Sequence, residues 1–147
     1  MQEFDEIEIL LVEDNPLDAE LTMTALTSGK VANHITWVKD GEEALEYLFR
    51  QGRYAARPDV QPRLVFLDLK MPKVNGIEVL KAIKSNDTTR RIPVVVMTSS
   101  QEESDVAKTY DLGVNSYVVK PVDFNSLADV TRQAGYYWLA INRSVPG

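Results

Sequence analysis

The chain has 147 residues, 44% of them hydrophobic and 26% charged, with 22 acids against 16 basic residues for a net charge of −6. That length and apolar content exclude a disordered chain and predict a single domain over 1–147, with a core over about 7–130 and an extended C-terminal helix to about 141. The lack of cysteine excludes a disulfide framework and any thiolate nucleophile or metal site, and the acidic balance argues against direct contact with nucleic acid. The acidic start, Met1-Gln2-Glu3-Phe4-Asp5-Glu6, has no signal-peptide blocks, and no apolar run approaches membrane-spanning length, so a cytoplasmic protein with no membrane contact is expected.

Ile7 to Val12 reads as a first strand, mostly apolar and therefore central, ended by Glu13-Asp14. Asn15 can cap a helix and Pro16 suits its first turn; Leu17, Leu21, Thr24, Ala25 and Leu26 recur at helical spacing, and Gly29 is a stop. Asn33 to Val38 is a second strand on which a lone His34 has no assigned role. Asp40-Gly41 turns the chain into a helix over Glu42 to Arg50, with Ala44, Leu45, Leu48 and Phe49 inward. Gln51 to Pro62, with a glycine and two prolines, is a long loop for such a connection.

Leu64-Val65-Phe66-Leu67 runs straight into Asp68, the pattern of a strand buried on both faces that delivers an acid to its C-terminal end. Asn75-Gly76 then opens a helix with Ile77, Leu80 and Ile83 on one face. Ile92 to Met97 is a fourth strand, in which Pro93 is tolerated at the start. Ser99 and Ser100 each have a glutamate three residues on, Glu102 and Glu103, which predicts a capping box for a helix ending near Leu112, before Gly113. Asn115 to Val119 is a fifth strand, broken by Lys120-Pro121. Asp123 can cap a last helix reaching roughly Ile141, with Leu127, Val130, Ala134, Trp138 and Ile141 on its core stripe and Tyr136 and Leu139 pointing away.

This strand–helix alternation, repeated five times, predicts an α/β fold: a doubly wound parallel sheet of the flavodoxin-like (βα)5 kind, strand order 2-1-3-4-5. In that order Glu13, Asp14, Asp68, Thr98 and Lys120 all fall at C-terminal strand ends, and strands one and three are neighbours. Two carboxylates about 4 Å apart repel by about 4 kcal/mol at an effective dielectric near 20, so three together call for a cation. Oxygen ligands suit a hard divalent ion, and Mg²⁺ fits a site that keeps waters and meets phosphate; with no cysteine and one histidine, zinc does not fit. Taken singly, each of these residues reads more readily as a cap, a turn former or a loop. Their joint occurrence at corresponding strand ends carries the reading.

The set Leu10-Leu11-Val12-Glu13-Asp14-Asn15, Leu67-Asp68-Leu69-Lys70-Met71-Pro72, Asn75-Gly76, Pro93 to Thr98 and Tyr117-Val118-Val119-Lys120-Pro121 resembles the receiver domain of two-component response regulators. The intervals agree: 30 residues from Asp68 to Thr98 and 22 from Thr98 to Lys120. The resemblance implies that Asp68 accepts a phosphoryl group from a histidine kinase. It implies that Glu13, Asp14, Asp68 and the backbone carbonyl of Lys70 hold Mg²⁺, that Lys120 and Thr98 contact the phosphoryl oxygens, and that Thr98 and Tyr117 switch the face of the fourth helix, fifth strand and fifth helix. Glu13 stands where the family more often has aspartate, and Lys70 and Ser100 occupy variable positions that tune loss of the phosphoryl group.

A finer resemblance, carried by the Gln51 to Pro62 loop, Lys108 to Asn115, Lys120 to Asp123 and Tyr136-Tyr137-Trp138-Leu139, is to stand-alone regulators paired with phytochromes. It implies a receiver-only signalling protein rather than an enzyme, a phytochrome-type kinase, an unidentified downstream protein, and a homodimer with Tyr136 and Leu139 at its interface. Two rival readings remain: a binding module that is never phosphorylated, and a phosphatase of the haloacid-dehalogenase type, whose usual second aspartate is replaced here by Lys70.

Overall fold

Alternating side chains on each strand point to opposite faces of a sheet, so strands as apolar as these need cover on both sides. The computed structural model, which describes residues 8–29, 34–71 and 73–143, meets that need with helices on each face. The elements are β1 (Glu8–Val12), α1 (Pro16–Ser28), β2 (His34–Val38), α2 (Gly41–Leu48), β3 (Leu64–Leu67), α3 (Gly76–Ser85), β4 (Val94–Thr98), α4 (Glu103–Asp111), β5 (Ser116–Val119) and α5 (Phe124–Tyr136), followed by a π-helical turn, Tyr137–Ile141. The strands are parallel in the order β2-β1-β3-β4-β5, the flavodoxin-like arrangement expected from the alternation. Among the expected features, Ile7, Asn33 and Pro72 lie outside the described residues.

One face of the sheet, carrying Leu10, Val12, Val65, Leu67, Val94 and Val96, packs against Ala44 and Leu48 of α2 and Val79, Leu80 and Ile83 of α3. The other face, with Ile9, Leu11, Leu64, Phe66, Val95 and Met97, packs against Ala19 and Leu26 of α1 and Leu127 of α5. The sheet order then fixes where each strand's last residue lies. The long Gln51 to Pro62 connection contains a single 3-10 turn, Gly52–Tyr54, and is held down by Arg57, whose Nε–H donates to the Tyr47 carbonyl at 2.8 Å.

Local chemistry explains the helix entries. Asn15 caps α1 by accepting the N–H groups of Leu17 and Asp18, Asp40 caps α2, and Asp123 caps α5. Asn75 and Glu78 form a reciprocal capping box on α3. Gly76 has a second reason to be glycine. A Cβ there would lie 2.2 Å from the Asp68 carbonyl oxygen, so only a bare backbone lets the first turn of α3 pass so close behind the acid.

Three expectations are corrected. The capping box at α4 does not form: the helix is entered through Glu102, which has no side-chain cap, while Ser100 lies two residues upstream, its hydroxyl donating to Asp105 Oδ2 at 2.7 Å and accepting the Glu102 N–H at 3.4 Å. In α1, Ala25 and Leu26 are buried as expected, but Leu17 and Thr24 are exposed, and Ala19 and Thr22 take the inner face. At the C-terminal end, Leu139 is buried and Ile141 is 60% exposed, the reverse of the α-helical stripe. Leu139 continues the row of Leu127, Thr131 and Gly135, buried at a spacing of four along α5, and the helix then ends in the π turn, in which the Asn142 N–H reaches back five residues to the Tyr137 carbonyl. Leu139 is therefore not available as an interface residue, whereas Tyr136 is exposed as expected.

Candidate functional site

In a parallel sheet all strands end at the same edge, and here the ladder runs one residue past each strand end. The Asp68 N–H donates to the Val12 carbonyl at 3.0 Å, the Lys120 N–H to the Thr98 carbonyl at 2.8 Å, and the Glu13 N–H to the Val38 carbonyl at 3.1 Å. Backbones held this way aim their side chains rather than leave them on loose loops. The Trp37 indole N–H adds a further tie, 2.7 Å from the Glu13 carbonyl oxygen.

Glu13, Asp14 and Asp68 each bring a carboxylate oxygen within 4.8 Å of the others. Glu13 and Asp68 are buried, and Asp14 faces solvent. Lys120 Nζ lies in the same crevice, 2.7 Å from Glu13 Oε1, 3.0 Å from Asp18 Oδ2 and 3.3 Å from Asp68 Oδ2. Beside them opens a cavity of about 490 Å³ whose lining includes Asp14, Lys70, Met71 and Asp105. One ammonium against the four carboxylates of Glu13, Asp14, Asp18 and Asp68 leaves the crevice strongly negative when all are ionised.

Burial sets the protonation states. It pushes the Glu13 carboxyl up to about 7, although the Lys120 ammonium pulls the other way. Burial also works against the Lys120 ammonium. The Glu13 hydrogen bond and the charges of Asp68 and Glu13 outweigh it, so the net shift is upward and the lysine stays charged.

Around this centre the structure places the remaining expected residues. The Lys70 N–H donates to Asp68 Oδ1 at 3.3 Å, while its ammonium turns away to Asp105 Oδ2 at 3.6 Å. Thr98 is fully buried, and its hydroxyl oxygen accepts the Ser100 N–H at 3.3 Å. The Tyr117 ring packs against the core cluster on the face of the sheet that α2 and α3 cover, with its hydroxyl donating to the Ser100 carbonyl at 3.0 Å. Thr98 and Tyr117 thus grip the same short segment from either side. His34 is exposed.

Two acids in the crevice were not singled out from the sequence, Asp18 and Asp105. Both sit in the first turn of a helix that starts directly after a site-bearing strand, and such turns face the same sheet edge. Asp105 is held below the usual carboxylate range by the Ser100 hydroxyl first and by Lys70 second. Among the described residues, no helix is long and apolar enough to cross a membrane.

Comparison with known proteins places this geometry. The model of the response regulator receiver domain matches residues 9–132. The probable methanogenesis regulatory protein FilR2 of Methanothrix harundinacea is 45% identical over 139 residues, covering 95% of this chain and 87% of FilR2. Response regulator Rcp1 of Synechocystis is 39% identical over 131 residues, covering 89% of this chain and 88% of Rcp1. The Mn²⁺-bound structure of Rcp1 superposes with a TM-score of 0.88 at 36% identity, over 95% of this chain and 99% of that one. The phosphorylated cyanobacterial phytochrome response regulator RcpA superposes with a TM-score of 0.90 at 39% identity, over 96% of this chain and 99% of that one. With the acidic crevice at the carboxyl edge of a 2-1-3-4-5 sheet, these likenesses make the chain a member of the response regulator receiver domain family.

Proposed function

We propose that this protein is a signalling switch in which Asp68 takes a phosphoryl group from the phosphohistidine of a histidine kinase. The observation that carries the reading is the convergence of Glu13, Asp14 and Asp68 within 4.8 Å, with Lys120 Nζ 3.3 Å from Asp68. An Asp68 carboxylate oxygen bonds to phosphorus as the P–N bond to the donor imidazole breaks, and the imidazole departs with that electron pair. Lys120 faces the incoming phosphoryl oxygens, and the Thr98 hydroxyl is offered to one of them.

Mg²⁺ is the proposed cofactor, held by Glu13, Asp14, Asp68 and the backbone carbonyl of Lys70. An all-oxygen set with three carboxylates suits a hard divalent ion, and the Mn²⁺-bound form of Rcp1 supports the same assignment. When bound, the ion supplies positive charge opposite Lys120, which screens the transferring group. The other residues position, donate and exclude water.

The Glu13 carboxyl gives this reading a pH signature. Without metal, burial raises the Glu13 carboxyl to about 7, above its ordinary value of 4.5, so between those pH values the folded chain binds more protons than the unfolded one. Its contribution to stability therefore falls as pH rises through that window and is level above it. A cation that binds ionised Glu13 reverses the penalty. The rise in Tm on adding Mg²⁺ is expected to be larger at pH 8 than at pH 6, and equal rises would remove Glu13 from the ligand set.

The output face is proposed to be α4, β5 and α5, where Tyr110, Val119, Val122 and Phe124 are exposed. Rearrangement of the Thr98 to Ser100 segment would reach it through Tyr117. The likeness to RcpA favours a phytochrome-type kinase as donor. A homodimer is proposed through the end of α5, where Tyr136 and Tyr137 remain exposed. The test is intact-mass analysis after treatment with acetyl phosphate and Mg²⁺. One added phosphoryl group is expected; no gain indicates a binding module, and steady turnover of phosphate esters indicates a phosphatase. Phosphotransfer from a panel of kinases ranks the donors, and sedimentation with and without beryllofluoride reads the dimer.

A further inference from the structure

Lys120 has three N–H donors and meets three carboxylate oxygens, at 2.7, 3.0 and 3.3 Å. Two of these acceptors, Glu13 and Asp68, belong to the acid cluster that would hold the cation, and Asp68 is also the residue that would be modified. The third, Asp18, lies outside that cluster and has no other part in the site. As the cation and the phosphoryl group engage Glu13 and Asp68, the hold of those two on the ammonium weakens. Asp18 is then the one partner that neither claims.

The surroundings brace this contact at both ends. The Asp18 N–H donates to Asn15 Oδ1 at 3.2 Å, and the next residue, Ala19, is fully buried, so the first turn of α1 is pinned. The Lys120 backbone is tied to Thr98, which leaves its side chain as the remaining freedom. The Lys120 side chain is only 12% exposed and that of Asp18 29%, so their charge-assisted hydrogen bond is partly shielded from water.

We propose that Asp18 is a positioning residue: its carboxylate anchors the Lys120 ammonium from α1, keeping it aimed at Asp68 while Glu13 and Asp68 turn to the cation and the incoming phosphoryl group. The proposal rests on the switch reading above for its consequence, but the anchor itself is testable without it. In urea unfolding without metal, Asp18→Asn is expected to shift the midpoint by different amounts in the wild type and in Lys120→Met. A carboxylate acting only as a favourable first-turn charge on α1 would give equal shifts in the two backgrounds, which would overturn the anchor.

The second arm is kinetic. At saturating acetyl phosphate, Asp18→Asn is expected to lower the rate constant for phosphorylation by up to about a hundredfold, the loss that misplacing a reacting group by about 1 Å can cause. The Mg²⁺ concentration for half-saturation, followed by tryptophan fluorescence, should be unchanged, and Asp18→Glu should recover part of the rate. In the Lys120→Met background the same substitution should cost nothing further. A wild-type rate in Asp18→Asn, or an equal loss in both backgrounds, rules out the positioning role. Coupled midpoints in a wild type that takes no phosphoryl group would preserve the anchor and overturn the switch.

Discussion

Asp68→Asn should abolish phosphoryl uptake while leaving the fold intact. The amide is nearly isosteric with the acid but is a far weaker nucleophile and carries no charge. The backbone tie from the Asp68 N–H to Val12 survives the change, and Lys120 retains Glu13 and Asp18 as partners. Two of the three converging carboxylates remain, so Mg²⁺ binding should weaken but persist. Intact mass after acetyl phosphate treatment is the measurement. Uptake is expected to fall by at least about a thousandfold, as for loss of a nucleophile. A substituted chain that still gained a phosphoryl group would move the acceptor elsewhere and remove the central assignment.

Lys120→Met should have two effects of opposite sign. Without metal, the change leaves buried Glu13 and Asp68 facing each other and Asp18 with no cation between them. Removing one partner from a buried ion pair costs about 3–5 kcal/mol, and the lower end is expected here because Glu13 can take up a proton. The same loss of positive charge should tighten Mg²⁺ binding, because the cation no longer competes with an ammonium for Glu13 and Asp68. Phosphorylation nevertheless slows, by about a hundredfold or more, since a charge aimed at the transferring group is gone. Urea midpoints with and without Mg²⁺ check the first pair of effects, and acetyl phosphate kinetics check the last. A variant with unaltered metal affinity would mean that Lys120 does not share its carboxylates with the ion.

The parts of the site legible in the sequence were those delivered by strands. Val12, Leu67, Thr98 and Val119 end their strands at one edge, so placing Glu13, Asp14, Asp68 and Lys120 together required only the strand order. Residues delivered by helices were harder to read. Asp18 and Asp105 reach the crevice only because α1 and α4 begin where they do, and a helix start known to within a residue or two does not fix a side-chain direction. Ser100 looked like a cap because its spacing to Glu103 is right. Spacing does not reveal that the helix begins two residues later, with Glu102 at its entry, so that Ser100 binds the Glu102 N–H and the Asp105 carboxylate instead. Leu139 was misplaced for a different reason: the expected stripe ran through Val130, Ala134 and Trp138, which are only partly buried, whereas the deepest row lies one residue on, at Thr131, Gly135 and Leu139.

That wide turn has an evolutionary corollary. It holds about one residue more than an ordinary helical turn, so the loss of a single codon between Tyr137 and Ile141 could be absorbed by closing the wide turn to an ordinary one, without breaking α5. Lineages differing by one amino acid at this spot would change which side chains finish α5 while the acidic crevice at the carboxyl edge of the sheet stays untouched.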